Sequence, residues 1–283
     1  MSWSLCRNVD EFLHKRHAAL LADESMNCLT WATIERANNA GSDQTKYRFL
    51  TFGDALASSA HAVVNHSDQH LLLGAMAPPQ AKQIVAVLDD QETTIRTMEG
   101  PREAATAFAD HWSQATGRSH QRQMDQGLYE LTSVEMPDAA GGQLVKVAAE
   151  HRTVLHALVT GFCDCFPDQP MTPTMIDSRV DRFLREKRAY LWRNSDLTFV
   201  SMAAIVRESP NTSSISWVFT PPNHRGQGYA ARVVAALSQA QLDAGKKACN
   251  LHTDLENDTS NGIYRRIGYT IIGRSFRIRF MEE

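Results

Sequence analysis

A glycine-bearing loop between an extended segment and an apolar helix constrains the fold of this chain more than any other feature. The loop belongs to the stretch TPPNHRGQGYAARVVAAL, residues 220–237, where two prolines and an Arg-Gly-x-Gly run precede small and apolar residues. Glycine at 226 and 228 lacks Cβ and tolerates positive φ, so successive backbone N–H groups can turn toward one centre. The following helix adds unpaired N–H donors and the positive end of its dipole. This combination predicts a phosphate or pyrophosphate site, with Arg225 adding charge.

Three other interpretations of the loop are weaker. A plain strand-to-helix turn needs neither two glycines nor an arginine, and the missing Lys-Ser/Thr pair excludes a P-loop. A dinucleotide fingerprint fits better, because residues 226–231 read GQGYAA and Asp254 ends the next predicted strand. The chain ends at residue 283, however, which leaves too little sequence for the further βαβ units of such a sheet. A nucleotide-binding oxidoreductase is therefore the less favoured hypothesis.

A second motif follows the loop at a distance that makes the pair specific. Residues 257–269 read NDTSNGIYRRIGY, and residues 223–228 of the loop read NHRGQG. Together they resemble the GNAT superfamily of acyl-CoA-dependent N-acetyltransferases, although Asn223 stands where that family usually has Gln or Arg. The resemblance covers roughly residues 143–283.

The resemblance implies a binding site for acetyl-CoA as co-substrate, with no metal. The strand before the loop would pair with the pantetheine arm, the loop amides would hold the pyrophosphate, and Asn257 would hydrogen-bond the cofactor. Tyr264 would lie near the thioester sulfur and is the predicted catalytic residue. The predicted cofactor-binding residues are Val218, Phe219, Thr220, Arg225, Gly226, Gln227, Gly228, Tyr229, Ala230, Asn257 and Ser260.

The implied reaction is direct attack of a primary amine on the thioester in a ternary complex. Alignment of the two reactants supplies much of the rate, and an N–H group of the splayed strand polarises the carbonyl. Tyr264, with an ordinary pKa near 10, would protonate the departing thiolate at neutral pH. The alternative role for Tyr264 is to anchor a short helix on the core.

Several groups are candidates for the general base, and the sequence indicates only the chemical class of the acceptor. His252 and Asp254 share one strand face, Glu208 ends another strand, and a chain of water molecules would serve equally well. None of these residues is assigned a catalytic role. A competing class of function is a non-catalytic acyl-CoA-binding sensor. The acceptor is a small-molecule or peptide amine.

Periodicity predicts an α/β protein in which a mixed sheet is flanked by helices. The sequence SDQHLLLGAMAPPQAKQIVAVL, residues 67–88, sets an apolar strand, Pro-Pro and an apolar helix in a row, and residues 213–237 repeat this order with an HRGQG insertion. This repetition indicates two lobes that arose by duplication. We expect a degenerate GNAT-like domain at 1–136, a linker at 137–142 and the catalytic domain at 143–283. The first lobe either shapes the acceptor site or mediates self-association as a homodimer.

Composition limits the cellular compartment and the classes of binding partner that we expect for this chain. The chain has a net charge of −3 and 43% hydrophobic residues, which favour a soluble globular protein and give no electrostatic case for nucleic acid or an anionic membrane. Five cysteines without a regular framework, and an N-terminus without a long apolar run, predict a cytoplasmic location.

Two clusters of polar residues are expected to be exposed. His61, His66 and His70 flank a predicted hairpin turn and lack the Cys or carboxylate pattern of a metal site. Arg274, Arg277 and Arg279 alternate with apolar residues near the C-terminus, as on a solvated strand face. The alternative for the arginines is a position beside the substrate groove, where they would favour an acidic acceptor.

Overall fold

The structure, a computed structural model, describes residues 2–39, 46–53, 59–137, 141–167 and 169–281. Its strands are β1 (Trp3–Leu5), β2 (Tyr47–Phe52), β3 (His61–Asn65), β4 (His70–Leu73), β5 (Thr97–Pro101), β6 (His120–Leu131), β7 (Gly142–Lys146), β8 (Ala189–Asn194), β9 (Phe199–Glu208), β10 (Thr212–Phe219), β11 (Ala248–Asp254) and β12 (Thr270–Phe280). Its helices are α1 (Val9–Ala22), α2 (Cys28–Asn39), α3 (Pro78–Asp89), α4 (Arg102–Thr116), α5 (Arg152–Cys163), α6 (Pro173–Glu186), α7 (Tyr229–Asp243) and α8 (Asp258–Arg266). Among the helices so described, none is long and apolar enough to cross a membrane.

The chain divides into two compact units, and each unit is discontinuous in sequence. The first unit comprises Met1–Leu128, His252–Asn257 and Ile271–Glu283, and the second comprises Tyr129–Leu251 and Asp258–Thr270. The predicted domains, in contrast, are continuous. The predicted linker at 137–142 falls within the second unit, and its residues 138–140 lie outside the described residues.

The placement of the last strand, β12, is the main difference between the two compact units and the predicted domains. β12 pairs antiparallel with β5 of the first unit, and Arg277 stands opposite Glu99. The Arg277 guanidinium forms a 3.2 Å salt bridge with the Glu99 carboxylate, which is buried. Arg274 and Arg279 are exposed as expected, whereas Arg277 is only partly exposed, because its charge offsets a buried carboxylate.

The sheet of the first unit runs in the order β1–β2–β3–β4–β5–β12. β1 to β4 pair antiparallel, and β5 lies parallel to β4 because α3 makes the crossover between them. Successive side chains of β4 point to opposite faces. Leu71 packs with α3 and α4, whereas Leu72 packs with α1 and α2. Helices therefore cover both faces.

The second unit repeats this arrangement. β7, β8, β9 and β10 pair antiparallel in that order, and β11 lies parallel to β10 after the crossover helix α7. α5 and α6 cover one face through an apolar cluster that includes Leu155, Val180, Met202 and Phe219. α7 packs against β8, β9 and β10 with buried side chains outside that cluster, so it covers the other face. The shared order of parallel and antiparallel pairs agrees with the predicted duplication.

Two local predictions are wrong. The strand expected around Thr93–Met98 begins only at Thr97, since the N–H of Thr93 donates to the Leu88 carbonyl at the end of α3. His61 is fully buried rather than exposed, and it hydrogen-bonds the Thr30 hydroxyl at 2.9 Å and the Ser59 carbonyl at 2.8 Å. Burial lowers the pKa of His61 to about 4.

Candidate functional site

A bulge interrupts β10 immediately before the glycine loop. Ser216 stands opposite Ala204 and Phe219 opposite Met202, so β10 carries one more residue than β9 over this interval. Trp217 in the bulge has a φ of 55°, which is the left-handed region that an aromatic residue rarely adopts. The extra residue of a bulge is left out of the strand ladder. The bulge therefore offers backbone polar groups to an extended ligand at the end of β10.

The end of β10 is fixed from both sides. The Ser201 hydroxyl on β9 donates a 3.0 Å hydrogen bond to the Phe219 carbonyl and shares a 2.9 Å hydrogen bond with the Thr220 hydroxyl. On the helical side, Gly161 of α5 lies against the Phe219 ring, where a Cβ atom on the glycine would be 2.6 Å from Cζ. Of the predicted strand residues, Val218 is thus the one in the bulge, while Phe219 and Thr220 have internal partners.

The loop adopts the backbone conformation that the glycines predict. Gly226 has a φ of 78° and Gly228 a φ of 76°. Within the described part of the chain, the N–H groups of residues 226–230 have no hydrogen-bond acceptor. The N–H of Arg225 differs, because it donates to the Pro222 carbonyl at 3.2 Å. A Cβ atom on Gly226 would have no neighbour within 4 Å, so the loop, whose N–H groups at residues 226–230 we call the cradle, has open space at Gly226.

Two guanidinium groups flank the loop. Arg225 is exposed, donates through Nε to the Thr220 carbonyl at 3.1 Å and lies over the Phe219 ring. Arg232 in α7 donates to the Gln227 carbonyl at 2.7 Å and lies over the Tyr229 ring. Arg232 is not among the residues that the sequence predicts for this site. The sequence does indicate this residue, because Arg232 follows Gly228 by four positions and a side chain on a helix covers the turn that precedes its own Cα atom.

Tyr264 is buried in α8. Burial raises the pKa of its phenol to about 12, so the hydroxyl is protonated throughout the physiological range. Within the described residues this hydroxyl makes no protein hydrogen bond, and its ring packs edge-on against Tyr269 with centroids 6.1 Å apart. The hydroxyl of Tyr269, in contrast, is bonded to Ser238 at 2.9 Å. Ser260 is half-buried one turn before Tyr264.

Other predicted residues have structural partners. Asn257 is exposed and belongs to the first unit, where its N–H donates to the Asp254 carbonyl at 3.1 Å. The Asp254 carboxylate accepts a 3.0 Å hydrogen bond from the N–H of Glu256. Glu208 forms salt bridges with Arg188 and Lys246 and pairs with Ser213 at the start of β10.

Distance excludes Glu208 as the general base. From Ser213 to Phe219, β10 extends by roughly 20 Å, at about 3.3 Å for each residue. A carboxylate at the start of the strand therefore cannot reach a substrate in the bulge. His252 is half-buried in the first unit. Within the described residues, no group of three or more His, Cys, Asp or Glu side chains is arranged to hold a metal ion.

The fold and the bulged strand with its glycine loop define a protein with the GNAT fold. Residues 195–278 match the family model described as FR47-like protein, which spans the loop and α8. The resemblance of the C-terminal half to the GNAT superfamily is therefore confirmed. No curated protein sequence matches the chain at a significant level.

Solved structures with the same fold cover nearly the whole chain. A GNAT-family acetyltransferase from Colwellia psychrerythraea matches with a TM-score of 0.55 at 12% identity, covering 99% of this chain and 100% of that one. A GCN5-related N-acetyltransferase from Sphaerobacter thermophilus matches with a TM-score of 0.61 at 15% identity and 92% coverage of both chains. A tandem GNAT protein from the clavulanic acid biosynthesis pathway matches with a TM-score of 0.51 at 10% identity, covering 84% and 83%. At these identities the likeness shows the fold.

Proposed function

We propose that this chain is an N-acetyltransferase that moves an acetyl group from acetyl-CoA to a primary amine. The observation that carries the proposal is the row of N–H groups at 226–230, which have no acceptor among the described residues and lie in the same loop as Arg225 and next to Arg232. A pyrophosphate fits this cradle, since it offers acceptors to several amides and negative charge to a helix N-terminus and two guanidinium groups. The bulge lies one short loop away, where an extended pantetheine arm would pair with Val218.

In the proposed reaction the protein mainly positions the reactants. The amine would attack the thioester carbonyl, the C–S bond would break, and coenzyme A would leave as the thiolate. A backbone N–H group in the bulge would stabilise the negative charge that develops on the carbonyl oxygen. The attacking amine must first lose a proton, which we assign to a chain of water molecules.

Tyr264 is proposed to act as a hydrogen-bond donor to the leaving sulfur. A thiol has an ordinary pKa near 8.5, so proton transfer from a phenol with a pKa of about 12 would be uphill by about 5 kcal/mol. A hydrogen bond stabilises the thiolate without that transfer, and the proton that neutralises it then comes from solvent. This role replaces the full proton transfer that an ordinary tyrosine pKa would allow.

The pKa of the Tyr264 phenol, about 12, also favours a second candidate function, that of a non-catalytic acyl-CoA sensor. Such a protein needs the cradle and the bulge but no efficient proton donor. The two candidates share the acetyl-CoA site and differ in turnover. A small-molecule or peptide amine in the cytoplasm remains the proposed partner of the enzyme, and self-association through the first unit remains a prediction.

Calorimetry and a thiol-release assay test the proposal together. We expect acetyl-CoA and coenzyme A to bind and NAD not to bind. We also expect at least one member of a panel of primary amines to accelerate release of free thiol. Binding without thiol release for any amine would favour the sensor. Binding of NAD without acetyl-CoA binding would overturn both candidates.

A further inference from the structure

An aromatic cluster borders the bulge on the face covered by α5 and α6. The Trp217 ring lies 4.6 Å from the ring of Phe162 and 5.6 Å from that of Phe183, measured between centroids. Phe162 in turn contacts Phe166 at 5.1 Å. The guanidinium carbon of Arg179 stands 5.1 Å from the centre of the Trp217 ring and 5.8 Å from that of Phe183. A cation is therefore held against aromatic faces next to the proposed thioester position.

Arg179 differs from the other arginines of these two helices. Arg152 pairs with Asp177 and Asp181, while Arg182 and Arg185 pair with Glu186. For Arg179, no carboxylate of the described residues lies within 4 Å, and no hydrogen bond to its guanidinium is formed. Its side chain is half-buried, and this burial lowers the pKa of Arg179 from its usual value. Among the described residues, no anion offsets the cost of desolvating this charge.

We propose that Arg179 binds a carboxylate of the acceptor, so that the substrate is an amine that also carries a carboxylate. This inference rests on the proposed function, because the thioester in the bulge fixes where the amine must stand. The guanidinium carbon lies over the Trp217 ring, and the guanidinium N–H groups, which have no acceptor among the described residues, remain for a bidentate carboxylate. Phe162 and Phe166 supply an apolar wall for the carbon skeleton.

The inference is tested with pairs of acceptors that differ in whether they carry a carboxylate. Free amino acids are compared with their carboxamides in the thiol-release assay, using the full chain, the variants Arg179→Gln and Arg179→Lys, and the control Arg182→Gln. We expect the wild-type protein to prefer the acids by at least tenfold in kcat/KM. Arg179→Gln should abolish this preference by raising KM for the acids alone. Arg179→Lys should retain part of it, and Arg182→Gln should behave as wild type.

Two other outcomes would overturn the inference. If the wild-type protein acetylates acids and carboxamides equally, the acceptor is recognised without its carboxylate. If Arg179→Gln slows both kinds of acceptor by the same factor, the residue has only a structural role. In either case the acetyltransferase activity itself would stand.

A binding measurement separates this inference from the proposed function. Free amino acids are titrated without acetyl-CoA while tryptophan fluorescence is recorded, and Trp217→Phe identifies the contribution of Trp217. A saturable change that Arg179→Gln abolishes would support the carboxylate site even if no acetyl transfer occurs. Absence of any fluorescence change, together with no preference for acids in the assay, would overturn it.

Discussion

Gly161 of α5 lies directly against Phe219 of β10, so close that a Cβ atom on the glycine would stand 2.6 Å from Cζ of the ring. The helix that borders the aromatic cluster is thereby tied to the end of the strand that carries the bulge. The absent side chain at residue 161 is what allows α5 to approach β10.

Substitution of Gly161 with alanine should therefore displace the end of β10. We expect Gly161→Ala to lower the free energy of unfolding by about 1–3 kcal/mol, as overpacking of a core does, and to weaken acetyl-CoA binding. Gly141→Ala is the control, because its Cβ atom would make an ordinary 3.6 Å contact. Urea unfolding and calorimetry measure both effects. Unchanged stability and unchanged binding in Gly161→Ala would contradict this close packing.

The open cradle at Gly226 makes a separate prediction. Alanine at this positive φ costs about 1 kcal/mol of stability, and relief of that strain would move the loop amides. We expect Gly226→Ala to raise the Kd for acetyl-CoA by roughly tenfold or more, since it perturbs a charged ligand held by several hydrogen bonds.

Gly245 supplies the matched control for the cradle. It also has a positive φ, 94°, and open space at Cβ, but it follows the far end of α7. Gly245→Ala should therefore lose a similar amount of stability and bind acetyl-CoA normally. Equal Kd values for the two variants would show that the loop does not hold the ligand.

Tyr264 should affect turnover more than binding. If its phenol stabilises the leaving thiolate, Tyr264→Phe should lower kcat by roughly 100-fold and leave the Kd for acetyl-CoA nearly unchanged. Tyr269→Phe should keep its turnover, because the Tyr269 hydroxyl is already bonded to Ser238, and should lose about 1 kcal/mol of stability. Thiol-release kinetics compare the two variants. Full activity of Tyr264→Phe would assign the tyrosine to helix packing.

His61 predicts a specific loss of stability in acid. Its pKa is lowered by burial to about 4 in the folded protein, whereas the unfolded chain takes up the proton near pH 6.5. The stabilisation is complete above pH 6.5 and is lost as the pH falls toward 4, with a total of about 3 kcal/mol. Urea unfolding between pH 7 and 4 measures this slope.

His61→Gln can still hydrogen-bond Thr30 and should flatten the pH dependence over this range. His111→Gln is the control, because the His111 side chain is exposed, and should keep the wild-type slope. The same slope in all three proteins would place the acid sensitivity in other groups.

The part of the site that the sequence predicts well is local in origin. Gly226 and Gly228 adopt positive φ because residues with a Cβ atom avoid that region, and α7 begins directly after them as the apolar run predicts. The Tyr264 motif likewise predicts the short helix α8. Its burial, which raises the phenol pKa, depends on packing that the motif does not contain.

The amino-acid sequence by itself determined the strand–loop–helix unit, the repeated strand and helix order, and the resemblance to the GNAT fold, because each depends on neighbouring residues and their periodicity. Only the tertiary structure decided that Trp217 occupies a bulge, that β12 pairs with β5, and that Arg179 lies on an aromatic face with no carboxylate partner among the described residues. These features depend on strand register and on side-chain contacts between residues far apart in the chain. Neither composition nor periodicity specifies which distant residues make such contacts.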